Sequence, residues 1–179
     1  MEYINISHKR DHAPKVHAVS SEQHESYSVF NVLKDGGYWC SRASDENMTE
    51  YIVLDFNDAV TIDYIEMTAS PNGAKTFPRD LRFEGSLDGD CWMVIHMEKK
   101  LVLDDDTYRL DIPLTLLRYL KILVIASQEN EGKFYSEIGR VRTGIAGISE
   151  IRASSSSSPS RAPENLFSRF DEIAGKIVE

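Results

Sequence analysis

Short stretches of alternating apolar and polar residues recur along the chain, each closed by turn-forming residues. The clearest spans residues 81–87, where Leu81, Phe83, Gly85 and Leu87 fall on one side of a two-residue period and Arg82, Glu84 and Ser86 on the other. That period marks a half-buried strand, because successive side chains of an extended chain point to opposite faces. Asp88-Gly89 then predicts a turn, since glycine takes a positive φ without steric cost. Trp92, Val94 and His96 alternate with Met93, Ile95 and Met97 on the return, so the segment reads as a hairpin.

The same reading predicts strands at 51–56 with Ile52, Leu54 and Phe56 inward, and at 60–68 beyond the Asn57-Asp58 turn. Further strands are predicted at 107–112 with Tyr108, Leu110 and Ile112 inward, at 118–125, and at 145–153 as the last. Residues 69–78 form a loop broken by Pro71, Asn72-Gly73 and Pro78, and 128–136 form a second loop ending in Phe134-Tyr135. Asp35-Gly36-Gly37 breaks an apolar run and leaves Tyr38 and Trp39 as exposed or half-buried aromatics. The charge runs 98–100 and 104–106 read as solvated loop. About eight short strands over residues 4–153 amount to an all-β fold, an antiparallel β-sandwich of jelly-roll type.

After residue 153 the composition changes. Residues 154–163 are a Ser-rich linker, and in 164–179 Leu166, Phe167, Phe170, Ile173, Ala174 and Ile177 recur at helical spacing. So short an amphipathic helix is not stable alone, and its stripe must meet this domain, a second copy of the chain or another protein. Docking on another subunit, as a homo-oligomer through 164–179 or with a protein partner, is the favoured arrangement.

Composition narrows the function. With 41% hydrophobic and 27% charged residues the chain is that of a globular domain, and a net charge of −9 argues against a nucleic-acid or anionic-membrane binder. Cys40 and Cys91 read as free buried thiols, and His8, His12, His17 and His24 as solvated histidines at no metal-ligand spacing. The first residues, MEYINISHKRDHAPKVH, contain no apolar stretch of signal-peptide length. As written the chain reads as cytoplasmic, and as extracellular if the sequence has been trimmed. No Gly-rich phosphate loop, HExxH, CxxC or nucleophile elbow is present, so no catalytic role is assigned.

The segment Ser86-Leu87-Asp88-Gly89-Asp90-Cys91-Trp92 resembles the Ser-x-Asp-Gly-x-x-Trp hairpin of discoidin domains, the C-type domains of coagulation factors and related galactose-binding carbohydrate modules. Val16-His17-Ala18-Val19-Ser20-Ser21 resembles the first strand of that pattern, and Asn31-x-Leu33-x-Asp35-Gly36 and Arg118-Tyr119-x-Lys121-Ile122 match further stretches of it in the right order. The resemblance implies a galactose-binding-like jelly roll. It also implies a structural calcium ion, with Asp35 as side-chain ligand, Lys34 and Gly37 offering carbonyls, Ser41 a hydroxyl and Glu150 a carboxylate from the far end of the domain. Oxygen donors converging from one loop suit that hard cation, although Asp35 read locally equally caps its own turn.

Two functions remain open at this point. One is a non-catalytic module that binds a carbohydrate or similar polar ligand through loops at one end of the sandwich, with Asn72, Lys75, Arg79, Phe134 and Tyr135 as the available group. The other is an intracellular protein-interaction domain on the same sandwich, with the C-terminal helix as its partner-binding element.

Overall fold

The computed structural model describes residues 13–146; the expected linker, the helix at 164–179 and Glu150 lie outside the described residues. Within them the chain forms β1 (Lys15–Val19), β2 (Trp39–Cys40), β3 (Glu50–Thr68), β4 (Asp80–Ser86), β5 (Met93–Glu98), β6 (Thr107–Ala126), β7 (Gln128–Asn130), β8 (Lys133–Tyr135), β9 (Glu137–Ile138) and β10 (Val141–Gly144). Short 3₁₀ turns occupy Glu25–Tyr27, Val29–Leu33 and Gly73–Lys75.

β3 and β6 are much longer than the pattern predicts. At ~3.3 Å per residue either strand drawn straight would run to ~60 Å, whereas a domain of this size has a radius of gyration of about 14 Å. Both strands must therefore bend, and they do so as a pair. β3 runs antiparallel to β6 from Glu50↔Val124 to Thr68↔Thr107, with register shifts between Asp55 and Val60 and between Ile62 and Tyr64. The expectation of separate strands on either side of Asn57-Asp58 is corrected accordingly. Asn57 takes φ 67°, its N–H donates to the Asp55 carboxylate at 2.8 Å, and the ladder resumes beyond the bulge.

Each bend has a local cause. At the first, Arg118 grips the Asp55 carboxylate through Nε and Nη2 at 3.0 and 3.1 Å, tying β6 to β3 where the ladder is interrupted. This partner holds the Asp55 carboxyl below its usual range. At the second, Pro113 falls in the gap between Asp111 and Thr115, where it has no ladder N–H to supply.

The bends build two layers from one pair of strands. One layer has the order β1-β3-β6-β4-β5, and β10 adds to the other half of β3 at Tyr64–Met67. Ile52, Leu54 and Phe56 from one half of β3 share a single core with Ile65 and Met67 from the other, and with Leu81, Phe83, Leu110 and Ile122. Phe83 and Tyr108 lie parallel in it at 6.2 Å between centroids.

The β4–β5 hairpin forms as the sequence predicts. Its tip is held by the Asp88 carboxylate, which accepts the N–H groups of Asp90 and Cys91 at 2.8 Å each and the Ser86 hydroxyl at 3.0 Å. Gly89 supplies φ +85°. Several burial assignments differ from expectation. Leu87 lies past the end of β4 and is 55% exposed, while Glu84 on the polar side is buried, held by Arg82 at 2.7 Å and Lys121 at 3.5 Å. Trp39 is fully buried, because its Nε1–H finds the Ser21 carbonyl at 2.9 Å and its ring can enter the core. Cys40 is buried, but Cys91, in the hairpin tip, is exposed. Residues 128–136 form the small β7–β8 hairpin rather than an open loop, turning at Glu131 and Gly132, both with positive φ. The final described strand is β10; the strand expected over 145–153 lies almost entirely outside the described residues.

Two predictions follow from this packing and this turn. Phe83→Ala should lower stability by about 3–5 kcal/mol in urea unfolding, as expected for a buried aromatic, while Leu114→Ala, at a side chain 69% exposed, should stay within about 0.5 kcal/mol. The hydrogen bonds at Asp88, led by the Cys91 N–H, lower its pKa from 3.8 to about 2. The turn's contribution is thus complete above the ordinary value and lost as pH falls through about 2. An NMR titration of the Asp88 carboxyl should give that lower midpoint, and an ordinary one would show that the turn does not hold the carboxylate in solution.

Candidate ligand-binding cleft

The connection between β1 and β2 is anchored from below and left polar on top. Val29 and Val32 are buried in the core, and the Glu22 carboxylate caps the 3₁₀ turn by accepting from the Val29 N–H at 2.8 Å and the Ser28 hydroxyl at 3.1 Å. Asn31 then spans the loop, its Nδ2 donating to the carbonyls of Ser26 at 3.1 Å and Tyr38 at 3.0 Å. Gly37 is required here, since a Cβ at that position would lie 2.8 Å from Asn31 Cγ. The result is that Tyr27 and Tyr38 stack, with centroids 4.8 Å apart and planes at 22°. Burial, the Tyr27 hydroxyl and the Glu137 carboxylate all raise the Tyr38 pKa, so its phenol stays protonated.

Opposite this aromatic pair the chain brings in charge. Asp104 and Thr107 exchange backbone hydrogen bonds at 2.9 Å, with Asp105 and Asp106 between them at φ 46° and 58°. Positive φ at both central residues is the turn that suits the twist of the flanking chain. The Asp106 carbonyl accepts from the Ala69 N–H at 2.8 Å, fixing this turn against the 69–71 segment. Gly139 packs on the same segment: a Cβ there would lie 2.6 Å from the Ala69 carbonyl oxygen. Arg140 is thereby delivered to Asp35 as an ion pair, with Arg142 at 3.6 Å from the same carboxylate. The Arg140 partner is the main reason the Asp35 carboxyl sits below its usual range.

These groups line a cleft of about 590 Å³, walled by Tyr27, Tyr38, Asp35, Asp105, Asp106, Arg140 and Arg142, with Ala69, Ser70 and Pro71 among the remaining lining residues. Three carboxylates stand against two guanidiniums, so the lining offers donors and acceptors together beside an aromatic wall. Such a surface suits a neutral ligand rich in hydroxyl groups better than an ion of either sign.

The residues expected from sequence lie elsewhere. The Asn72 amide donates to Glu137 at 3.0 Å, Arg79 pairs with Asp80 at 3.3 Å, and Lys75 is exposed. Phe134 and Tyr135 are half-buried on β8, where the Phe134 backbone pairs with Ser44. None of the five lines the cleft. The two loops that carry them are nonetheless joined. Glu137, 5% exposed, accepts hydrogen bonds from Ser70, from Thr76 at 2.7 Å and from Asn72, and the Asn130 amide donates to the Lys75 carbonyl at 2.9 Å. Burial and this nearby carboxylate push the Cys40 thiol up to about 12, so it is not a nucleophile at neutral pH.

Tyr27, Asp105, Asp106, Arg140 and Arg142 were not singled out by the sequence reading. Arg140 and Arg142 carried a usable signal, two like charges at the i, i+2 spacing that puts side chains on one face of a strand. Asp105 and Asp106 looked like any solvated acidic run.

Among the expected calcium ligands, Ser41 is buried and its hydroxyl accepts from the Ser136 N–H at 3.0 Å, while Asp35 is engaged by Arg140. Among the described residues no three His, Cys, Asp or Glu side chains converge on one point. Arg140 and Arg142 both meet Asp35 through Oδ1, and Glu150, the other carboxylate of the expected set, lies outside the described residues.

The F5/8 type C domain model matches residues 16–138. Among solved structures, CBM32-3 from a family 31 glycoside hydrolase of Clostridium perfringens superposes with a TM-score of 0.65 at 14% identity, covering 75% of this chain and 92% of that one. A fragment of a putative chitobiase from Bacteroides thetaiotaomicron gives 0.63 at 16% identity over 73% and 87%. The family 32 carbohydrate-binding module of NanJ from C. perfringens, solved in complex with galactose, gives 0.61 at 10% identity over 74% and 94%. No curated protein matches the sequence.

The Arg140–Asp35 pair generates a direct expectation about calcium. The melting temperature should be the same in EDTA and in millimolar calcium, because the guanidinium already neutralises the carboxylate. A higher melting temperature with calcium would show that the ion wins the site, since a ligand that binds only the folded state stabilises it.

Proposed function

The chain belongs to the F5/8 type C domain family, and from that premise we propose that it is a non-catalytic module that binds a carbohydrate in the cleft between the Tyr27–Tyr38 pair and Arg140. The observation that carries this reading is the stacked tyrosine wall facing mixed-sign polar groups. A sugar ring presents a C–H face that packs on an aromatic surface and a rim of hydroxyls that both donate and accept. Asp35, Asp106 and Arg140 supply the matching acceptors and donors. Structural neighbours solved with galactose and with GalNAc-β-1,3-galactose support a neutral sugar as the ligand class.

Binding rather than turnover is favoured by the state of the carboxylates. A glycosidase needs one carboxyl group kept protonated to act as acid. Here Asp35 is held ionised by Arg140, and Asp105 and Asp106 are exposed at a turn tip. The domain thus positions a ligand without a group poised to cleave it.

A glycan array probed with the full chain should report galactose- or N-acetylgalactosamine-containing ligands. Tyr27→Ala and Arg140→Ala should each raise the dissociation constant for such a glycan at least tenfold, about 1.4 kcal/mol, with the circular dichroism spectrum unchanged. An empty array would count against the proposal. Loss of binding in Tyr135→Ala or Arg79→Ala but not in Tyr27→Ala would move the site to the 69–79 and 128–136 loops.

A further inference from the structure

β5 is the outermost strand of its sheet, and among the described residues it pairs with β4 alone. Its far edge therefore presents backbone groups to a prospective partner, an arrangement that proteins usually cover or guard with charge. Besides the His96–Glu98 pair at 3.4 Å, it carries exposed apolar side chains: Met93, Val94 and Met97 are 60%, 55% and 49% exposed. At the turn end, Leu87 and Met93 line a groove of about 260 Å³ together with Leu116 from the bend of β6. Leu87 and Leu116 are each 55% exposed, so five large apolar side chains gather along one edge of the domain.

The charges at the two ends of β5 select what covers it. Asp88 and Asp90 precede the strand, Lys99 and Lys100 follow it, and all four are exposed. A copy added in parallel would set acid against acid and base against base. A copy added antiparallel, about a two-fold axis through the strand, sets acid against base at both ends. With the axis at Ile95, the residue that the β4–β5 register skips, Asp90 and Lys100 in the flanking turns lie equally far from it in sequence, as do Met93 and Met97 on the strand. The lysines that repel an indiscriminate strand are matched in this one arrangement.

We propose that β5 is a homodimer edge, at which two copies of the chain pair antiparallel about Ile95 and continue the sheet across the axis. The surface is separate from the cleft, since none of the cleft-lining residues lies on β5, so the two can be disrupted independently.

Sedimentation of the full chain over a concentration series tests this. The wild type should pass from monomer to dimer. Asp90→Lys and Lys100→Asp should each raise the dimer dissociation constant about tenfold, because each sets like charges together at both ends of the strand pair. The double variant Asp90→Lys, Lys100→Asp should recover the wild-type constant, since every pair is reversed rather than lost. Val94→Lys provides a second route to the same loss without touching either charge pair. A wild type that stays monomeric throughout overturns the proposal. So does a dimer indifferent to these variants, which would place the contact elsewhere, for example at residues 164–179, and so does a double variant as weak as the singles.

Discussion

β3 and β6 each pass from one layer of the sandwich into the other, and neither could do so alone. A strand that turned away from its neighbour would bury N–H and C=O groups without partners, at about 1–3 kcal/mol for each. By bending together the two strands confine that loss to two interruptions of the ladder, at Asp55–Val60 and at Ile62–Tyr64. The second interruption also reassigns faces. Ile52, Leu54 and Phe56 are buried at even positions, and Ile65 and Met67 at odd ones. Because side chains alternate with period two, a shift of this kind is what lets both halves of a bent strand face the same core.

Everything outside that ladder is short, and is held by polar contacts rather than by length. Glu137 is the centre of the largest group. Burying a carboxylate is costly unless it is fully hydrogen-bonded, and here the hydroxyls of Ser70 and Thr76 and the amide of Asn72 converge on it. The Glu137 N–H adds a bond to the Thr76 carbonyl at 2.7 Å. Together these fasten the 70–76 segment to β9, and the glycine contact at Gly139 then sets Arg140 at the cleft. A buried anion thus fixes the place of a surface cation a few residues away.

The same logic explains why the cleft is already assembled. Asn31 spans its own loop, Gly37 admits Asn31, and the Asp106 carbonyl fixes the acidic turn against Ala69. Ordering a loop at the moment of binding costs affinity, and contacts made beforehand remove that cost. None of the cleft-lining residues lies on β5, so the cleft and that edge are separate surfaces of the domain.

By itself the sequence determined the sandwich and much of its core. Two-residue alternation identified Leu81 and Phe83, Ile52, Leu54 and Phe56, and Tyr108, Leu110 and Ile112 as inward-facing, and all are buried. The Asp88-Gly89 turn was equally legible, because turn chemistry is local to four residues. Alternation could not reveal that β3 and β6 run on through their bends, since Asn57-Asp58 looks the same in a bulge as in a connecting turn. Nor could it find the cleft. Tyr27, Asp35, Asp106 and Arg140 span more than a hundred positions, and each is ordinary in its own neighbourhood. Only the tertiary structure decided their meeting, because it depends on where the Asn31, Gly139 and Glu137 contacts set three separate loops. Asp35 shows the difference most plainly: the residue was visible in the sequence as a loop carboxylate, but its partner, Arg140, was supplied by the fold.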